Sequence, residues 1–272
     1  MCPVMAERAQ ATRPGTAPRG LGDRDIGGML YTGEMYGLQA DLLAVVLGGS
    51  VPQAWAAVSR WRRLGYAESA RLGPGPAWIW LTRAGLAACG LRYAPIPPAL
   101  SRLAHIRAVT TVRLALEATA GYQRAGAFWR GERRLRARSG SRAGLRGHLP
   151  DGEVHWPDSA SPDSASPDSA SRDGAAVAWA GECWAIEAEL TRKTVSRTTA
   201  IMRDLLARTG DYGGPAAEAR VPGRPARHAR ALYVCSASAR PTVLRARRNL
   251  GPAAARIEVR DLPGQAALEA AG

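Results

Sequence analysis

Apolar positions in the first third of the chain follow a helical period three times. They repeat every three to four residues over 25–36, 39–47 and 50–64, which predicts three helices. Ser50 can cap the third helix, Pro52 suits its first turn, and Gly65 ends it. Alternation over 66–72 and 77–81, around a Gly-Pro-Gly-Pro turn, predicts a β-hairpin. Three helices before a hairpin indicate a winged helix-turn-helix domain over residues 23–95.

The pattern after the Pro-rich residues 92–98 differs. A long amphipathic helix is predicted over 99–120, and strands over 127–136, 148–156 and 183–190. A helix over 194–209, a strand over 230–236, a helix over 241–250 and an edge strand over 256–261 follow. This alternation predicts an α/β domain (α+β for the whole chain) over residues 96–262.

Three segments lack a pattern that could build a core. Residues 1–22 have the composition of a disordered basic arm, which is either a solvated tail or a contact to DNA phosphates. PDSAS occurs three times in tandem within 157–171, and we interpret 157–173 as a disordered insert without function. Residues 263–272 form a tail.

The charge is strongly asymmetric along the chain. The net charge is +14, and residues 1–150 contain 21 Arg against 8 acidic residues. Residues 151–272 contain 16 basic and 15 acidic residues, so the excess lies in the first half. Such basicity favours double-stranded DNA as the partner, whereas Arg-rich coding alone would not explain an excess of fourteen charges.

Other classes are disfavoured by what the sequence lacks. No apolar run has the length of a membrane span, and no secretory signal is recognisable, so we expect a cytoplasmic protein without a membrane partner. Four scattered cysteines give neither a zinc-finger spacing nor a disulfide framework. A P-loop motif is absent, and the four histidines include no His-x-His pair.

Arg and Gln side chains can donate to base edges and phosphates, so the third predicted helix is the candidate recognition helix. The alternative is a winged helix that contacts protein. A second basic region lies within residues 124–146, which contain eight Arg and one acid. The DNA-binding candidates are Gln53, Ser59, Arg60, Arg62, Arg63, Arg133, Arg134 and Arg136.

Carboxylates are the candidate chemistry of the second half. Glu187 and Glu189 are two residues apart on a predicted strand, so they share a face, and Asp151 starts the preceding strand. Such oxygens could bind Mg²⁺, which polarises phosphate and activates water. The alternative is that these acids only form surface ion pairs with Arg.

Two further residues are candidates for catalysis. Lys193, the only lysine, follows four residues after Glu189 and is a candidate charge stabiliser, although its position could be chance. His105 lies near the apolar stripe of the long helix, and is either a packed residue or a proton shuttle.

The helix–strand–strand–strand–helix–strand order with Pro150-Asp151 and Glu187-x-Glu189 resembles the PD-(D/E)xK nuclease superfamily. The resemblance implies an αβββαβ restriction-endonuclease-like core. Glu189 stands where that superfamily usually has lysine, and some restriction endonucleases also have Glu there.

A more specific resemblance is carried by several strings together. They are Leu81-Thr82-Arg83-Ala84-Gly85-Leu86, His105 with Val109 and Arg113, Pro150-Asp151-Gly152, and Glu187-Ala188-Glu189-Leu190-Thr191-Arg192-Lys193. Over roughly residues 23–236 they resemble the replication-relaxation family of actinobacterial plasmids and integrative elements. The resemblance implies a role in plasmid replication and DNA relaxation, with plasmid replication proteins as partners, but no defined chemistry.

Three hypotheses therefore stay open. The chain is a winged-helix DNA-binding protein with a Mg²⁺-dependent nicking site, a non-catalytic origin-binding or transcriptional regulatory protein on a nuclease-like scaffold, or a protein-interaction adaptor. Binding that falls steeply with salt would favour the first two over the third, because phosphate contacts release counterions.

Overall fold

The computed structural model describes residues 20–139, 148–157, 179–207 and 228–264. Most of the predicted arm, of the predicted insert and of the predicted tail lies outside these ranges. The described chain forms two compact units, one up to residue 115 together with 263–264, and one of residues 116–262. Both are mixed α/β in content, with a three-stranded sheet in the first and a mixed five-stranded sheet in the second.

Five helices and three short strands make up the first unit. The helices are α1 (Asp23–Glu34), α2 (Ala40–Val46), α3 (Val51–Arg63), α4 (Arg83–Ala88) and α5 (Leu103–Glu117), with a 3-10 turn at Leu100–Arg102. The strands are β1 (Leu38–Gln39), β2 (Ala67–Ala70) and β3 (Trp78–Leu81). They pair antiparallel in the order β1-β3-β2. The two-residue β1 is an element that periodicity did not predict.

A buried acid ties α1 to α3. The indole of Trp61, which is fully buried, donates to Asp25 Oδ1 at 2.8 Å, and the Arg60 guanidinium donates to the same oxygen at 2.8 Å. Because an unpaired buried carboxylate is costly, these two donors make the helix pair specific. The ion pair between Arg113 and Glu34, at 3.0 Å, ties α5 to the end of α1 in the same way.

Four helices and five strands are described in the second unit. The helices are α6 (Ala120–Arg124), α7 (Glu132–Ser139), α8 (Val195–Leu206) and α9 (Arg240–Arg248), with a 3-10 segment at Gly251–Arg256. The strands are β4 (Phe128–Gly131), β5 (Gly152–His155), β6 (Cys183–Glu189), β7 (Arg230–Cys235) and β8 (Ile257–Asp261).

The sheet follows chain order from β4 to β8. Strands β4, β5 and β6 are antiparallel, whereas β7 and β8 continue parallel to β6. One core lies between the sheet and the helices α8 and α9, where Tyr233 and Ile257 pack with Met202, Leu205 and Val243. This face also holds Glu187 and Glu189, because they share the pleat of Ala185.

The strand predicted over 127–136 is wrong beyond Gly131. The last strand pair is Gly131 with Gly152, and one more backbone hydrogen bond follows it, from the N–H of Glu132 to the carbonyl of Asp151 at 3.0 Å. The residue before Asp151 is Pro150, which has no N–H with which to continue the ladder. The chain turns instead into α7, whose first turn is supported by a Glu132–Arg136 pair at 2.6 Å. The arginines Arg133, Arg134 and Arg136 therefore lie on a helix.

Glycine is required at the start of β5. A Cβ on Gly152 would lie 2.1 Å from the indole ring of Trp129, on the neighbouring strand β4. The indole can cross the strand at this point only because no side chain is present. This packing lies one residue after Asp151.

Candidate functional site

Two adjacent strands bring the predicted carboxylates to one region of the sheet. Gly152 pairs with Ile186, so Asp151 continues the antiparallel register beside Glu187. Asp151 Oδ2 accepts a hydrogen bond of 2.9 Å from the backbone N–H of Ala188. Glu187 and Glu189 flank this amide on β6 and are both buried. The carboxylate of Asp151 is thus bound to the backbone of the residue that separates the two glutamates.

Glu187 has a histidine partner. His148 Nε2 lies 2.8 Å from Glu187 Oε1. Burial and the negative charge of Asp151 raise the pKa of Glu187 to about 7, although His148 and Lys193 act in the opposite direction. Burial lowers the pKa of His148, but its hydrogen bond and the charges of Glu187 and Asp151 outweigh this and raise that pKa above its ordinary value.

Glu189 is paired with the lysine of the chain. Lys193 Nζ lies 2.6 Å from Glu189 Oε2, and the lysine side chain is 28% exposed. The neighbouring Thr194 caps α8, since its hydroxyl accepts from the N–H of Arg197. The start of α8 therefore fixes the backbone next to Lys193. The ammonium group of Lys193 lies at the edge of the carboxylate group, where the sequence predicted it.

Tyr233 completes this end of the sheet and was not predicted. It pairs with Glu187 across β6 and β7, so its ring shares the face of the carboxylates. Its buried hydroxyl has no hydrogen-bond partner among the residues that the structure describes. Burial, with the charges of Glu187 and Glu189, raises the pKa of Tyr233 well above its ordinary value. Tyr233 is identified as part of this site by the pairing register of β7 with β6, and local sequence pattern does not predict that register.

A second polar group lies on the same face, towards the other end of β5. Glu153 Oε2 is 2.9 Å from His155 Nε2, and Cys183 Sγ is 3.7 Å from the same nitrogen. His228 Nε2 is 3.0 Å from Glu153 Oε1. Within the described ranges, the set of three ligand atoms mutually within 4.8 Å is that of Glu153, His155 and Cys183.

That set differs from the predicted one. Asp151, Glu187 and Glu189 are brought to adjacent positions, but the described side chains do not place three of their ligand atoms mutually within 4.8 Å. Two of the three carboxylates have basic partners instead, His148 on Glu187 and Lys193 on Glu189. Their role as metal ligands and catalytic residues stays a prediction.

The predicted DNA-binding residues of α3 lie mostly on its outer face. Gln53, Ser59, Arg62 and Arg63 are exposed. Gln53 Oε1 also accepts from the backbone N–H of Ser50 at 2.8 Å, which caps the helix. Arg60 is half-buried in its ion pair with Asp25, so it has a structural partner.

The remaining predicted residues lie in different settings. On α7, Arg133 is buried, Arg134 is half-buried, and Arg136 is exposed beside Glu132. A buried guanidinium is not on the surface that phosphates reach. His105 is half-buried on α5 in the first unit, and its predicted role as a proton shuttle stays a prediction.

Comparisons with known proteins give no assignment. No protein-family model, no curated protein and no solved structure matches this chain. Among the described residues, no single helix has both the length and the apolar character of a membrane span. Helices α2 and α3 are long and apolar enough only when they are taken together, and the chain bends by 95° between them.

Proposed function

We propose that this chain is a DNA-binding protein of plasmid or mobile-element replication or DNA relaxation, and that its second unit nicks DNA with Mg²⁺. The observation that carries the proposal is the group formed by Asp151, Glu187 and Glu189, with Lys193 at its edge. The acids lie on or directly before two adjacent strands, and the ammonium lies in the segment between β6 and α8. Carboxylates with one ammonium are the residue types that metal-dependent phosphodiester cleavage needs.

The topology of the second unit supports this proposal. The order is helix α6, strand β4, helix α7, strands β5 and β6, helix α8 and the parallel strand β7. Apart from α7 between the first two strands, this is the order of the αβββαβ restriction-endonuclease-like core. Asp151 at the start of the second strand and Glu187 in the third occupy the positions that the sequence resemblance assigns to metal ligands. A fold supports many activities, however, so the residues of the site carry the argument.

The donor set fits a hard dication. Asp151, Glu187 and Glu189 offer carboxylate oxygens, which Mg²⁺ prefers. Burial and the charge of Asp151 disfavour the ionised form of Glu187 and raise its pKa, and a dication beside it would favour that ionised form. When bound, Mg²⁺ would polarise a phosphate oxygen and lower the pKa of a water molecule.

The chain's own residues have defined roles in this proposal. Lys193, at 28% exposure, can reach solvent and supply positive charge to a phosphate. His148 Nε2 lies 2.8 Å from Glu187 Oε1, so the two groups can share a proton and pass it between them. Tyr233 lines the buried side of the carboxylates, and its unbonded hydroxyl can donate to an oxygen of the site.

The first unit supplies the proposed contact to double-stranded DNA. Helices α1 to α3 followed by the β2–β3 hairpin have the order of a winged helix-turn-helix. In that arrangement α3 enters the major groove, and its exposed Gln53, Arg62 and Arg63 offer donors to base edges and phosphates.

A second function is favoured by one observation. Glu187 and Glu189 already hold basic partners, His148 and Lys193, which compensate the carboxylates without a metal. A nuclease-like scaffold retained in a non-catalytic origin-binding or regulatory protein would have such internal ion pairs. The two functions differ in whether the chain breaks a phosphodiester bond.

A plasmid-nicking assay distinguishes them. The full chain is incubated with supercoiled plasmid and Mg²⁺, Mn²⁺ or EDTA, and open-circular product is measured. Asp151→Asn and Glu187→Gln are compared with Glu258→Gln, a matched change on the exposed edge strand β8. Nicking that needs the dication and is lost only in the first two variants supports the nuclease. Plasmid binding without nicking by any variant supports the non-catalytic function.

A further inference from the structure

The group of Glu153, His155 and Cys183, here the Cys183 cluster, has the ligand types of a transition-metal site. Glu153 and His155 alternate on β5, and Cys183 opens β6 opposite His155, so strand pairing brings all three to one face. Carboxylate, imidazole and thiolate together are typical of Zn²⁺, whereas Mg²⁺ prefers oxygen ligands alone.

The spacing of the Cys183 cluster suits a tetrahedral ion. At Zn–N and Zn–O of about 2.0–2.1 Å and Zn–S of about 2.3 Å, sulfur and nitrogen would lie roughly 3.6 Å apart. The observed distance between Cys183 Sγ and His155 Nε2 is 3.7 Å. Nitrogen and oxygen would lie roughly 3.3 Å apart. Glu153 Oε2 and His155 Nε2 are 2.9 Å apart, so they would separate by a few tenths of an ångström.

His228 holds the carboxylate in place from behind. Its Nδ1 lies 2.9 Å from the carbonyl oxygen of Leu205, and because a carbonyl only accepts, Nδ1 carries a proton. Its Nε2 contacts Glu153 Oε1 at 3.0 Å, and both side chains are 1% exposed. Glu153 Oε2 is thereby left directed at His155 and Cys183. Supporting hydrogen bonds of this kind orient the ligands of metal sites.

The other side of the cluster is ordered yet reachable. The ring of Phe128 stacks on His155 at 4.9 Å with an interplanar angle of 6°, which fixes the plane of the imidazole. His155 is 20% exposed, and Cys183 is half-buried. An ion from solvent can therefore reach a preorganised set of side chains.

We propose that Glu153, His155 and Cys183 bind one Zn²⁺, with a water molecule as fourth ligand and His228 as the positioning residue of Glu153. Binding forms a Zn–S bond and releases the thiol proton of Cys183 to solvent. The proposal does not rest on DNA cleavage, because it uses other residues and another ion than the proposed nicking site.

Direct binding measurements test it. The full chain is stripped with EDTA and titrated with Zn²⁺ by calorimetry, and with Co²⁺ by absorption, where a thiolate ligand gives a charge-transfer band. One ion is expected per chain. Cys183→Ser should remove the band and abolish tight Zn²⁺ binding, and His228→Gln should weaken binding by about 10–100-fold. Cys89→Ser, at a buried cysteine of the first unit, and Asp151→Asn should bind as wild type.

A measurement on the wild-type chain guards against variants that fail to fold. Iodoacetamide labelling followed by peptide mass spectrometry should show that Zn²⁺ protects Cys183, whereas Mg²⁺ does not. Equal labelling of Cys183 with and without Zn²⁺ would overturn the proposal. So would Zn²⁺ binding by Cys183→Ser with wild-type affinity, or its loss in Asp151→Asn alone, which would assign the ion to the other carboxylates.

Discussion

The substitution Glu187→Gln should change how stability depends on pH. Glu187 is buried, and its pKa is raised from 4.5 to about 7. The pKa of His148, its partner, is also raised. Both groups thus bind more protons in the folded than in the unfolded chain, and the free energy of unfolding must fall as pH rises.

The size of the effect follows from the raised pKa of Glu187. Relative to a carboxyl group with the ordinary pKa, the raised pKa of Glu187 lowers the free energy of unfolding by roughly 3 kcal/mol at pH 8 and by less than about 1 kcal/mol at pH 5. Glutamine carries no charge at either pH and still hydrogen-bonds to His148. We therefore expect Glu187→Gln to be more stable than wild type at pH 8, with a smaller difference or none at pH 5.

Urea unfolding followed by far-UV circular dichroism, at pH 5, 6, 7 and 8 with EDTA present, measures this difference. Glu258→Gln is the control, because that side chain is 43% exposed and pairs with Arg260 at the surface. It should leave the pH dependence unchanged. If Glu187→Gln had the pH dependence of wild type, or were less stable at pH 8, the electrostatic account of the site would be refuted.

Three other changes have defined outcomes. Glu34→Ala removes a carboxylate that lies 3.0 Å from the fully buried guanidinium of Arg113, so urea unfolding should show a loss of about 1–3 kcal/mol. Gly152→Ala places a methyl group into the indole of Trp129 and should cost about 1–3 kcal/mol of unfolding free energy. Arg62→Ala should reduce the salt slope of duplex binding by about 1, measured by fluorescence anisotropy.

Matched controls keep these outcomes interpretable. Gly121→Ala meets no atom within 4 Å and should be neutral or slightly stabilising, so an equal loss there would contradict the steric argument for Gly152. Arg260→Ala, on the exposed edge strand β8, should leave the salt slope unchanged. An unchanged slope in Arg62→Ala as well would mean that α3 does not contact phosphates.

The sequence predicted those features of the fold that depend on neighbouring residues alone. The alternation that places Glu187 and Glu189 on one face is present in β6, because a strand's pleat is set by neighbouring residues alone. The helix α3 also begins and ends within a residue of its predicted bounds, since Ser50 and Gly65 mark them. The mixed α/β class followed from the same patterns.

Contacts between distant segments could not be predicted in this way. His228 and Glu153 are 75 residues apart, and the β5–β6 and β6–β7 pairings together bring them into contact. A strand was predicted over 148–156, but β5 begins only at Gly152. His148 therefore lies before the strand, and alternation did not point to its contact with Glu187. The strand predicted through Arg133 failed because its length was set by where β5 begins, not by its own residues.

The Mg²⁺ dependence of plasmid nicking, compared between wild type, Asp151→Asn and Cys183→Ser, tests the central claim most directly. We predict that wild type and Cys183→Ser convert supercoiled plasmid to the open-circular form at similar rates in Mg²⁺, while Asp151→Asn stays at the EDTA background. Nicking by Asp151→Asn at the wild-type rate, or none by wild type, would contradict a metal-dependent nicking site at these carboxylates.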